Sequence, residues 1–124
     1  MGLDQYLYKV KKNITIEEYY DRVSEIDRDE YGFLDEEQLE KLCNEIGKKE
    51  IGYWRKNYNL DYLLECIYKE RGGTESFAGK YLELNYDDIK EIMEEIKDEH
   101  TTDVMLDALT AINKGYKVWY CNWW

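Results

Sequence analysis

Proline is absent from this 124-residue chain, histidine occurs once and cysteine three times. Without proline, element boundaries have to be read from glycine, capping residues and hydrophobic period. The single His100 excludes any site that needs two imidazoles. Cys43, Cys66 and Cys121 are odd in number and form no C-x-x-C pair, which excludes a paired disulfide framework and reads as reduced thiols. No apolar run is long enough to span a bilayer. The first ten residues alternate and hold Asp4 among apolar neighbours, unlike a signal peptide, so the expected location is the cytosol. Basic residues are also scarce: 17 Lys and Arg face 28 Asp and Glu, a net charge of −11. Such a chain repels a phosphate backbone, so direct nucleic-acid binding is disfavoured, and a basic protein surface is the partner that its charge suits.

Aromatic residues are plentiful. They make up 15% of the chain, including thirteen Tyr, which separates it from acidic disordered sequences. The length is that of one domain, 1–124, with a single core. Charge is unevenly placed, with acidic blocks at 15–50 and 83–103 on either side of a near-neutral centre. In that centre, Gly52-Tyr53-Trp54-Arg55-Lys56-Asn57 is an aromatic and basic island. Two readings stand for it: Tyr53 and Trp54 open a buried helix face while a carboxylate such as Asp4 neutralises Arg55, or Tyr53, Trp54, Arg55 and Lys56 belong to a contact surface.

The pattern predicts an α+β domain: a small, mainly antiparallel sheet of about three strands covered by about five helices. The strands are Leu3 to Lys11, Tyr81 to Asn85 and Tyr116 to Trp123, with the two aromatic-rich terminal strands as neighbours. Helices are expected from Thr15 to Asp27, from Asp35 to Ile46, and from Tyr53 to Glu70. A fourth is capped by Asn85, and a fifth by Thr101 or Thr102.

Three arrangements in the sequence bear on chemistry. Asp27 to Gln38 follows the twelve-residue calcium loop, with Asp27 and Asp29 at positions 1 and 3 and Gly32 at the turn. Tyr31 at position 5 and Gln38 at position 12 remove ligands, so the expectation is a capped helix connection and no tight calcium site. Gly73 to Lys80 has five residues between its glycines where a phosphate loop has four, and Tyr81 stands where magnesium needs Ser or Thr. A thiol nucleophile among Cys43, Cys66 and Cys121 is the enzymatic alternative. The sequence assigns no catalytic set, metal or cofactor.

The opening Met1-Gly2-Leu3-Asp4-Gln5-Tyr6-Leu7-Tyr8, the Tyr53-Trp54-Arg55-Lys56 block and the aromatic end Trp119 to Trp124 resemble a group of small bacteriophage and prophage proteins. The resemblance implies a protein working in the cytosol of an infected bacterium and supplies no catalytic residues. With the acidic blocks, it leads to an expected function: binding and inhibiting a host defence protein such as a CRISPR effector. The partner-binding candidates are Tyr53, Trp54, Arg55, Lys56, Glu91, Glu94, Glu95 and Asp98. A small-molecule or ion pocket beside Tyr53, Trp54 and Arg55 is the alternative.

Overall fold

A computed structural model describes residues 2–11 and 13–124; Met1 of the opening run lies outside them. Strand β1 (Asp4–Val10) leads to helices α1 (Ile16–Ser24) and α2 (Glu36–Ile46), strand β2 (Lys49–Arg55) and helix α3 (Tyr58–Glu70). Strand β3 (Tyr81–Leu84), helices α4 (Tyr86–Glu95) and α5 (Glu99–Asn113) and strand β4 (Lys117–Trp123) follow. The four strands form one antiparallel sheet in the order β2-β1-β4-β3. The fold is thus the expected α+β arrangement. The terminal strands pair along their whole length, from Asp4 opposite Trp123 to Val10 opposite Lys117.

The fourth strand corrects the sequence reading, because Tyr53 and Trp54 do not begin a helix. Gly52 and Trp54 turn inward and Tyr53 and Arg55 outward, the period of a strand paired with β1. The chain then turns at Lys56, whose φ of 58° breaks the strand, and Asn57 caps α3 by accepting a hydrogen bond from the Leu60 amide. A second correction concerns α5. Its cap is Asp98, which accepts from the Thr101 amide, and Thr101 is buried within the first turn.

Alternation along the strands separates two hydrophobic clusters, one on each sheet face. Val118 and Tyr120 of β4 pack with Leu7, Trp54 and the inner faces of α3, α4 and α5. Trp119, between them, points the other way and packs with Val10, Tyr19 of α1 and Leu42 and Ile46 of α2. Side chains cover parts of both sheet edges. Tyr20 Oη accepts from the Tyr81 amide, Arg71 donates to the Glu83 carbonyl, and the His100 ring lies 2.7 Å from the Tyr53 carbonyl.

Candidate functional site

The aromatic and basic block is divided between core and surface. Trp54 is buried; its indole N–H donates to Thr101 Oγ1 at 2.9 Å and its ring meets His100 edge-on. Thr101 donates in turn to Asp98 Oδ2. These contacts account for the polar edge of Trp54 and anchor β2 to the start of α5. Tyr53 lies on the opposite sheet face, 40% exposed, stacked obliquely on Tyr6. The expected Asp4–Arg55 pair is not formed. The two are opposite in register, but Asp4 accepts a 2.6 Å hydrogen bond from the Tyr53 hydroxyl, which holds that phenol above its usual range. Arg55 and Lys56 are exposed and run beside Gly2, and among the described residues neither stands in an ion pair.

The acidic candidates differ in their duties. Glu91, Glu94 and Glu95 stand on the exposed face of α4, opposite buried Ile89 and Ile92, and among the described residues none is in an ion pair. Asp98 is exposed at the end of the following turn, but both its oxygens accept from Thr101. Burial would raise its pKa; the Thr101 hydrogen bonds and His100 nearby outweigh that and hold it low. The block at 83–103 and the block at 15–50 lie mainly over opposite sheet faces, since α4 belongs to one cluster and α1 and α2 to the other. A single flat surface therefore faces one block at a time.

Between α1 and α2 the chain forms a hydrogen-bonded hairpin, with Arg28 bridging Leu34. Asp29 Oδ1 accepts from the Tyr31 and Phe33 amides, and Gln38 donates to Asp27 Oδ2 while its carbonyl accepts from the Asp27 amide. Asp35 Oδ1 caps α2. The carboxylates at the calcium-like positions are thus engaged in holding the turn, where Gly32 takes a φ of 84°. Among the described residues no group of three or more His, Cys, Asp or Glu is arranged to hold a metal. The hairpin displays Tyr31 and Phe33, 77% and 71% exposed, and Phe33 lines an open depression of about 640 Å³ together with Leu34, Arg28 and acidic side chains. The sequence reading treats Tyr31 as a missing metal ligand and assigns neither aromatic to a contact surface. The available signal was that neither has a periodic apolar partner in its polar turn.

A cluster of titratable side chains around Lys48 was also not foreseen. Lys48, just past the left-handed Gly47 that ends α2, extends over Tyr8 with its Nζ 4.1 Å from the ring centroid. It donates to Tyr81 Oη at 2.7 Å and to Tyr19 Oη at 3.2 Å. Burial lowers the lysine pKa and pushes the Tyr19 phenol up to about 12. Cys121 is buried beneath this cage, and its thiol is pushed by burial up to about 11, against the opposing influence of Lys48 and Tyr81. A thiol so protonated is a weak nucleophile. His100 is on the other side of the sheet, against Trp54, so it does not form a dyad with Cys121. Cys43 and Cys66 are half-buried on α2 and α3. No protein-family model matches the chain, and comparison with curated proteins and with solved structures finds no match either.

Proposed function

We propose that this protein acts by binding a basic protein surface, as a phage-encoded accessory protein that blocks a host defence component such as a CRISPR effector. The observation that carries the reading is the state of its carboxylates. Among the described residues five stand in ion pairs, Glu45, Glu65, Glu75, Glu83 and Asp88, out of the 28 acidic residues of the chain. Glu91, Glu94 and Glu95 project from one helix, their charges held on a regular scaffold. A charged, regular surface of this kind is complementary to a groove built for a phosphate backbone, and such complementarity speeds encounter and sets specificity. The phage resemblance of the opening run and the Tyr53 to Lys56 block supports the setting. The alternative pocket beside Trp54 finds less support, because that ring is packed and its N–H is already bonded.

Immobilised protein exposed to bacterial lysate tests this. At low salt it retains a nucleic-acid-binding protein that added DNA displaces, and high salt releases it. Retention of no protein under any condition, with a small metabolite co-purifying instead, contradicts the reading.

A further inference from the structure

Several exposed aromatics of this protein are attached to something: Tyr53 to Asp4, Tyr20 to the edge of β3, Tyr58 to Trp124. Tyr31 and Phe33 belong to neither hydrophobic cluster and, with Tyr62 of α3, are the three most exposed large apolar side chains described; only Tyr31 and Phe33 stand together on one turn. They are also not on a loose tether. The hairpin that carries them is closed by the Asp29–Phe33 and Asp27–Asp35 backbone hydrogen bonds, each 2.9 Å, and by Arg28 donating to the Gly32 carbonyl. Exposing a phenyl ring to water is unfavourable, and holding it in a fixed frame removes part of the entropy cost of binding. Residues 27–37 carry six carboxylates against one arginine, so the ring stands inside a strongly negative field. Exposed aromatics ringed by like charge have the composition of an interface anchor and its rim.

We propose that the α1–α2 hairpin is the primary docking element, with Phe33 inserting into an apolar pocket of a protein whose pocket rim is rich in lysine and arginine. The occupant follows from charge: the negative rim repels a second copy of this acidic chain and attracts a basic surface. The inference rests on the binding function proposed above and places its anchor away from α4, on the other face of the sheet.

Nuclear magnetic resonance on the full ¹⁵N-labelled chain separates the two. The probes are an amphipathic Lys/Leu helical peptide and a Lys/Ser peptide of equal length and charge, both at low salt. The Lys/Leu peptide shifts the amides of residues 27–37, and Phe33→Ser weakens its binding at least about tenfold, the order expected of a hot-spot aromatic. The Lys/Ser peptide binds more weakly and is indifferent to that substitution. Phe33 is exposed, so the variant keeps its fold, which its spectrum verifies directly. Shifts centred on Glu91, Glu94 and Glu95 with no effect of Phe33→Ser overturn the anchor and leave the binding function standing. Failure of both peptides to bind overturns both. A Phe33-dependent dimer in sedimentation equilibrium, without peptide, overturns the choice of partner in favour of a second copy.

Discussion

At the scale of single residues, the most consequential side chains are polar ones placed inside. Asp61 is buried in the first turn of α3, and its Oδ1 accepts from Tyr120 Oη at 2.8 Å and from Asn122 Nδ2 at 2.7 Å. Buried Gln5 donates to the same Tyr120 hydroxyl and to the Asn57 carbonyl, and accepts from the Asn57 amide. This network ties the start of α3 to both central strands. Asp61→Ala strands two buried donors, so it should destabilise the protein by about 3 kcal/mol, read from urea unfolding. A loss below about 0.5 kcal/mol would mean that water replaces the carboxylate. None of this was legible in the sequence. Gln5 and Asn122 sit at ordinary strand positions and Asp61 at an ordinary helix-start position, and their partners lie more than fifty residues away. Hydrophobic period reports which face is apolar, not which polar groups find each other across the core.

At the scale of elements, what the sequence made visible were the long, strongly patterned ones. The terminal strands, the helix over Asp35 to Ile46 and the helices capped by Asn85 and by the 98–102 segment all stand where caps and periodicity put them, within a few residues. β2 escaped because its alternation is short and contains a glycine, and because the apolar run Ile51, Tyr53, Trp54 merges into the helical pattern that follows. The glycine has a packing reason. A Cβ at Gly52 would come within 2.3 Å of Val104 on α5, so β2 and α5 approach as closely as they do only because residue 52 has no side chain. Gly52→Ala should therefore cost about 1–3 kcal/mol by overpacking, although alanine suits a strand better than glycine. A neutral or stabilising result in thermal unfolding would show that α5 shifts freely.

The tyrosine-rich face supplies an element-scale prediction with pH. Tyr19 keeps its proton to about pH 12 in the folded state and to about 10 when unfolded. Tyr8, Tyr81 and Tyr120 are raised in the same direction, chiefly by burial. Cys121 is shifted from 9.0 to about 11. In each case the unfolded chain loses its proton first, so stability is intact below pH 9 and falls progressively from there to pH 12. Lys48, lowered by burial, works in the opposite sense below its unfolded value of 10.5, but it is one group against several. Thermal unfolding followed between pH 8 and pH 11 should show a falling midpoint; a flat or rising profile would indicate that the cage opens to solvent.

For the whole molecule, the dominant fact is a net charge of −11 with five ion pairs among the described residues. Exposed like charges repel one another and are screened over about 10 Å at 0.1 M salt, so moderate salt should raise the unfolding midpoint. The same screening should weaken association. The acidic surface was readable from composition alone, since counting residues by segment finds both blocks. Their separation onto opposite faces was not readable, because it depends on which way β4 turns Trp119 and Tyr120. Charge reversal is best done at Glu91, Glu94 and Glu95 and, separately, at Glu36 and Glu37. Asp98 is unsuitable, because reversing it also removes the cap of α5.

The central claim is that this protein works through its charge on a basic partner. Calorimetric titration of the retained host protein across a salt series tests it most directly. The account predicts a dissociation constant that weakens at least about tenfold between roughly 0.05 M and 0.5 M sodium chloride, and again on reversal of one acidic block but not the other. An affinity that holds constant with salt and survives both reversals would contradict it.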